Sequence, residues 1–421
     1  MRRRMMLLAA ACAAATLGAA PGTVTQPATT RAAEAAWKTV LRELGSEDFA
    51  QRQAGQKELE KATWRDRQTL KALANAATDA EVKDRLTARV EELDEEALTN
   101  PPPISLDIKD ASFSDMVRAL GQALDLPLQA VQNGGQSYTL HAVDKPFGEV
   151  YLDLQKQGQL GMQASFDGRR IMATSSALKN GVVAGPFVVC PESVTYQRTV
   201  DFQADAPAGG AAGGAGGASP TLTLRLAVVA DPRLRIVSYA PIEWKSIVDI
   251  GDHELLKNAP PRGGQTTIPG RQWQIDFSVP LDPVGMARRI ASARGVLHFT
   301  VEAARQTVEV ADMEKQGNTP IDLGDQQITW TSFVLRNGSV NFQAQVQPRG
   351  APQPGRPFDT SGVTVRLEDA NGKQLVDETM RGGFGGGFGG SYVAPIKGFF
   401  SVTTKTKDLA VPFELRDLPL P

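Results

Sequence analysis

The sequence predicts a multidomain α+β protein: an N-terminal helical segment, a small α/β module whose unit is written twice, and tandem antiparallel β-sandwiches. Three observations predict it. Between residues 35 and 99 apolar residues recur at helical spacing. Between 104 and 175 a strand-then-helix pattern occurs twice. From residue 183 onward, short alternating runs are bounded by Gly, Pro, Asn and Asp. A chain of 421 residues has room for roughly two to four domains, each with its own core.

The first residues, "MRRRMMLLAAACAAATLGAAPG", have three arginines, an apolar stretch from Met5 to Leu17 and small residues before Pro21. That is the layout of a cleaved secretory signal over residues 1–20, too short to span a bilayer. Arg2 and Arg3 ahead of Met5 and Met6 leave twin-arginine export open, and "LAAAC" ending at Cys12 leaves a lipoprotein box open. Loss of Arg2, Arg3 and Arg4 would take the formal net charge from -2 to -5. With acidic and basic residues interspersed and a pI near 6.1, nothing resembles the basic stripe that neutralises a phosphate backbone, which argues against nucleic acid. Cys190 alone survives cleavage, so no intrachain disulfide is expected, and no later apolar run approaches membrane-spanning length.

Residues 21–34, rich in Thr, Ala, Pro and Gln, read as a disordered leader. Trp37, Val40, Leu41 and Leu44 then fall on one helical stripe. Ser46 is the expected cap of a second helix carrying Phe49 and Leu59, Leu70 and Leu73 mark a third, and Asp79 caps a fourth with Val82, Leu86, Val90 and Leu93. The segment "LGSEDFAQRQAGQKELEK" resembles one unit of HEAT-like helical repeats, which implies a surface offered to a partner protein; a small capping bundle is the alternative. "NPPP" at 100–103 ends the helices.

Next, Ile104, Leu106 and Ile108 alternate with polar residues as a half-buried strand requires. Adding 34 gives Tyr138, Leu140 and Ala142. Phe113, Met116, Val117 and Leu120 map likewise onto Phe147, Val150, Tyr151 and Leu154, and Asp110 and Asp144 precede the two helices. A hairpin, "MQASFDGRRIMAT", follows, turned at Asp167 and Gly168.

Two such units, opened by "ISLDIKDASFSDMVRAL" and closed by "VDKPFGEVYLDLQKQGQLGMQASFDGRRIMAT", resemble the short N-terminal domain shared by secretins and TonB-dependent receptors. The resemblance covers residues 104–175. It implies a periplasmic, non-catalytic module that docks onto envelope components, and it transfers no catalytic residue. Neither a secretin pore domain nor a receptor barrel follows, which points to an accessory or scaffold role.

The remainder reads as two β-sandwiches, residues 183–313 and 319–421, closing alike with "VEVADM" and "FELRDL". Asn337-Gly338 and Asn371-Gly372 are hairpin signals, because Asn and Gly tolerate the positive φ of two-residue loops. Glycine-rich runs at 207–220, 348–358 and 381–390 read as flexible loop tips, the third carrying Phe384 and Phe388 as a contact site in the alternative reading.

Catalytic patterns are missing. His253 and Glu254 are followed by Lys257 where the zinc-protease spacing needs His, and no GxSxG, phosphate loop or CxxC occurs. Asp249, Asp252, His253 and Glu254 are weighed as a cation site against a solvated acidic loop. Cys190 reads as a buried small hydrophobe, His141 as a surface residue aligned with Asp107, and His298 as a strand residue. Trp244, Trp273 and Trp330 are expected in the core, with sugar stacking as the alternative. No catalytic residue, cofactor-binding residue, cofactor or metal ligand is assigned. The expectation is an exported, non-enzymatic protein of the periplasm or cell surface that docks onto envelope proteins or onto itself; the alternative is a carbohydrate- or cell-wall-binding protein using its sandwiches.

Overall fold

A computed structural model describes residues 30–131, 137–157, 161–164, 170–174, 178, 180–198, 220–256, 264–268, 272–282, 288–317, 319–324, 326–336, 339–349, 363–380, 383–389 and 392–420. The chain mixes helix and sheet, with a helical N-terminal part followed by several antiparallel sheets. It divides into two compact units, Met1–Val90 and Glu91–Pro421.

The first unit holds α1 (Thr30–Leu44), α2 (Phe49–Glu60), a short 3-10 turn (Trp64–Asp66), α3 (Arg67–Ala76) and most of α4 (Ala80–Thr99). Trp37, Val40, Leu44, Leu59, Leu70 and Leu86 are buried, as the periodicity requires. Three details differ from expectation. Helix α1 begins at Thr30, inside the stretch read as leader, because "RAAEAA" is a run of strong helix formers. Asp48, not Ser46, caps α2: its carboxylate accepts the amide of Ala50 at 2.8 Å, while the Ser46 hydroxyl accepts the amide of Asp48 at 3.2 Å. Phe49, expected on the apolar side, is 66% exposed with the Arg52 guanidinium over its ring. Asp79 caps α4 through the amide of Val82 at 3.1 Å, as expected.

The second unit opens with β1 (Ile104–Ala111), α5 (Phe113–Leu124), β2 (Gln129–Ala130), β3 (Tyr138–Lys145), α6 (Phe147–Gln157), β4 (Gly161–Ala164) and β5 (Arg170–Thr174). Strands β1 and β3 form a two-stranded antiparallel sheet, and β2, β5 and β4 a separate three-stranded one. Strands β4 and β5 pair as the expected hairpin, whose turn at Asp167 and Gly168 lies outside the described residues.

The rest comprises β6 (Val182–Ala184), β7 (Phe187–Gln197), β8 (Thr221–Ala230), β9 (Ile236–Tyr239), β10 (Glu243–Asp249), β11 (Thr266–Thr267), β12 (Gln274–Leu281), β13 (Arg289–Val310), α7 (Met313–Gln316), β14 (Ile321–Leu323), β15 (Gln326–Arg336), β16 (Ser339–Pro348), β17 (Val363–Glu368), β18 (Gln374–Met380), β19 (Gly383–Gly389) and β20 (Lys397–Pro419). Three sheets result: β12-β8-β7-β6, β14-β15-β16-β19, and a seven-stranded one in which β13 and β20 are central.

Strands β13 and β20, of 22 and 23 residues, pair antiparallel from Arg289↔Pro419 to Val310↔Gly398. They connect two cores. Phe299, Val301, Leu409, Phe413 and Leu415 belong to a large core that also takes in the β1–α6 region, whereas Val310, Phe400 and Val402 belong to a second core with Ile328, Trp330, Val346 and Val365. The expected division at residues 313 and 319 is therefore not the division of the sheets: "FELRDL", assigned to the second sandwich, returns to pair with the start of β13. The module expected over 104–175 likewise shares the first core instead of keeping its own. Local pattern misleads here because Gly295 and Pro412 punctuate these strands like turn residues. In the fold they stand near one another in the ladder, with Pro412 opposite Val296 and Gly295 opposite Phe413.

Where the two strands pass from one core to the other, the register is irregular around Ala304. Glu302 there accepts two bonds from Arg305 at 2.8 and 3.1 Å and one from the Thr403 hydroxyl, with Arg235 at 3.7 Å. Such multiple pairing offsets the cost of desolvating the carboxylate.

Of the glycine-rich runs, 207–219 and 350–358 lie outside the described residues, but 383–389 is a strand, not a loop tip. Pairing with β16 supplies the hydrogen bonds that glycine's lack of a side chain does not forbid. A turn stands at Asn371-Gly372 as expected, but in a loop longer than two residues where Gly372 alone of the pair takes positive φ, 76°; Asp369 organises it, accepting amides from Asn371 and Lys373, each at 2.9 Å. Asn337 and Gly338 lie outside the described residues; the Arg336↔Ser339 pair flanks them.

Candidate functional site

The two strand-helix segments obey one local two-fold rule. Their strands share one burial pattern, with the first, third and fifth side chains buried and those between them exposed. In the β1–β3 ladder Leu106 faces Ala142, Asp107 faces His141 and Ile108 faces Leu140, while Ile104↔Lys145 and Ala111↔Tyr138 close its ends. Adding 34 to a residue of the first strand gives its counterpart in the second, so each pair maps onto another and Asp107↔His141 maps onto itself. Side chains follow the same rule. The Asp144 amide donates to the Ser105 hydroxyl at 3.1 Å, and the Asp110 amide donates to the Thr139 hydroxyl at 2.9 Å. Asp110 and Asp144 both adopt positive φ, 49° and 50°, where aspartate is among the few residues tolerated.

Behind the strands, Phe113 and Phe147 are 0% and 2% exposed at equivalent places. Their neighbours differ. The Phe113 ring lies 6.1 Å from Tyr138, whereas Phe147 lies 5.9 Å from Trp273, just before β12. Helix α6 is packed against β6 and β7. A Cβ on Gly148 would come within 2.9 Å of Val188 and 3.1 Å of Val183, so only glycine fits this approach without a shift. Leu152 and Cys190 crowd Gly181 in the same contact. The α5 residues at these positions are Ser114 and Arg118, and Arg118 is exposed and ion-paired with Asp115 at 2.9 Å.

Opposite this buried contact, the outer face of β1 and β3 carries Asp107 and His141, 3.3 Å apart with exposed side chains, and Val143, 59% exposed. Among the described residues each of these strands pairs with one other strand only, and on β3 the Thr139 amide donates to Gln157 Oε1 at 3.1 Å.

The candidate chemical residues disperse. Cys190 is fully buried, and burial, with Glu192 second, pushes its thiol up to about 12; it is the small hydrophobe expected. Burial also raises Tyr151, with Cys190 beside it. Asp249, wholly buried, accepts amides from Gly251 at 2.7 Å and His253 at 3.0 Å and faces the His253 ring at 3.1 Å, while Glu254 accepts the amide of Ile247 at 2.9 Å. Asp252 takes positive φ in the same turn. These carboxylates are occupied in shaping a loop, and among the described residues no group of three His, Cys, Asp or Glu is arranged to hold a metal ion. His298 pairs with Glu243 at 2.9 Å, and the hydrogen bonds from Lys245 and His298 hold that carboxyl below its usual range. Trp273 and Trp330 are 5% and 1% exposed, and Trp244 meets the Phe413 ring edge-on at 5.5 Å.

One group escaped sequence reading because three strands assemble it. Glu192 is raised by desolvation and by Asp276, against the pull of Arg225. All three stand on an exposed strand face.

Comparison with known proteins adds no family. No family model matches the chain, and no curated protein matches it. Among solved structures, the secreted serine protease VesC from Vibrio cholerae is 10% identical, over 48% of this chain and 47% of that one, with a TM-score of 0.11. The match spans less than half of that protease's length, and a likeness of this size carries no argument about fold or activity.

Proposed function

We propose that the chain is an exported, non-enzymatic protein of the cell envelope, in the periplasm or at the cell surface, that docks onto partner envelope proteins or onto itself. Residues 104–175 are its docking module, a tandem copy of one βα unit of the kind found near the N-termini of secretins and TonB-dependent receptors. A HEAT-like helical segment before it, and β-sandwiches joined by β13 and β20 after it, act as scaffold. No helix among the described residues is long and apolar enough to cross a membrane.

One observation carries the reading. The module's second helix is engaged in an internal contact at Gly148, while among the described residues the β1–β3 sheet has no further strand on either edge and an exposed outer face. Open edges accept an added strand from another chain, with main-chain hydrogen bonds giving affinity. The sugar-binding alternative needs exposed tryptophan, and the burial of Trp273 and Trp330 counts against it.

The test is site-specific photocrosslinking in the native envelope, with the probe placed at Lys109 or His141 and, as a control, at Lys373 in the β17–β18 turn. A discrete heavier species from the module positions and none from the control is expected. Free monomer from every position would overturn the proposal.

A further inference from the structure

Strand β19 ends its sheet, hydrogen-bonded to β16 on one side and, among the described residues, to no strand on the other. Most edge strands of the molecule are blunted against pairing. Strand β12 carries Pro280, β10 carries Glu243 and Lys245, β18 carries Asp377 and Glu378, and β6, β11 and β14 are only two or three residues long. The seven residues of β19, "GFGGGFG", include no charge and no proline.

The run is also a palindrome. From Gly382 to Gly390 it reads the same in both directions about Gly386. An antiparallel ladder reverses one strand against the other, so a palindromic edge meets its own sequence again when a second copy approaches across a two-fold axis. Phe384 of one copy then stands opposite Phe388 of the other, and Gly385 opposite Gly387. Glycines give a lone edge little packing, and a second ladder of roughly six to eight backbone hydrogen bonds would fix it.

We propose that β19 is a self-association edge, pairing antiparallel about Gly386 with β19 of a second copy of this chain. This surface is separate from the β1–β3 sheet and does not depend on the docking role given to it.

The register supplies a test that keeps the fold. Gly385 faces Gln343 and Gly383 faces Gln345, both exposed, whereas Phe384 faces the buried Ala344. By strand alternation Gly385 and Gly387 belong to one face of the strand. Sedimentation velocity of the purified protein over a concentration series should give a reversible dimer. The double variant Gly385→Lys with Gly387→Lys, and the double variant Gly385→Glu with Gly387→Glu, each set two like charges opposite one another and should associate roughly tenfold more weakly. Mixing the two should restore the dimer, which also shows that both remain folded. A chain with Gly385→Lys and Gly387→Glu should dimerise by itself. A wild-type protein that stays monomeric at all concentrations, or a double-lysine variant that dimerises as wild type does, would overturn the proposal.

Discussion

Helices α5 and α6 sit at equivalent places behind a two-fold pair of strands, yet α5 exposes Arg118 where α6 has Leu152, and the Gly148 side of α6 lies against a neighbouring sheet. The difference lies in a few substitutions. Where α5 has Ser114 and Arg118, α6 has Gly148 and Leu152. Shortening one side chain to a hydrogen and exchanging a charge for an aliphatic is enough to let a helix lie flat on a neighbouring sheet, because packing energy falls steeply with small gaps. The comparison teaches that the shared strand-helix framework and the docking face are separable. The first is set by apolar anchors common to both segments, the second by residues that differ.

The strongest way to break this comparison is to remove the shared anchors. Phe113→Ala and Phe147→Ala should each cost about 3–5 kcal/mol in urea unfolding, as truncations of fully buried aromatic rings do. Only Phe147→Ala should also shift tryptophan emission, because Trp273 lies against that ring. Equal emission changes from both variants would mean that the two rings do not have the different neighbours described.

Alkaline pH sharpens it. Burial raises the Cys190 thiol from 9.0 to about 12, and burial first, then Cys190, raises Tyr151. Both are acids that keep their protons in the folded state and release them on unfolding. The contribution of Cys190 is complete below about pH 9 and is lost as pH rises towards 12, while that of Tyr151 is complete below about pH 10 and is lost above it, each at about 1.4 kcal/mol per pH unit. Both groups belong to the α6 contact; the α5 counterpart of Tyr151 is Val117, which does not titrate. Urea unfolding between pH 8 and 11 should show a shallower loss for Cys190→Val than for wild type, and parallel curves would contradict the burial of the thiol.

The smallest effect is the most specific. Gly148→Ala should destabilise by about 1–3 kcal/mol through overpacking against Val188, although glycine to alanine within a helix ordinarily stabilises. Gln122→Ala, at an exposed position of α5, should stay within about 0.5 kcal/mol. Thermal melts of the two variants check the sign, and a stabilised Gly148→Ala would remove the close approach of α6 to the sheet.

Much of this was legible in the chain. The stripe from Trp37 to Leu44, the cap at Asp79, the 34-residue offset, the turn at Asn371-Gly372 and the inert character of Cys190 all rest on contacts within a few residues or on side-chain chemistry. Where fold and sequence pattern differ, the cause is common. Ser46 and Asp48 are both good caps for α2, and only backbone geometry chooses between them. The run at 381–390 looked like a loop because glycine favours loops, while its partner strand, starting at Ser339, is distant in sequence.

By itself the sequence determined where helices and strands form, which of their faces are apolar, and that two segments share one pattern, since periodicity, propensity and turn chemistry are local. Only the tertiary structure decided that β13 and β20 run through two cores, that Gly148 of α6 lies against Val183 and Val188, and that a glycine run closes a sheet. Strand partners and register are set by hydrogen bonds between residues a hundred positions apart. A single strand's alternation is satisfied equally well by any partner that buries its apolar side.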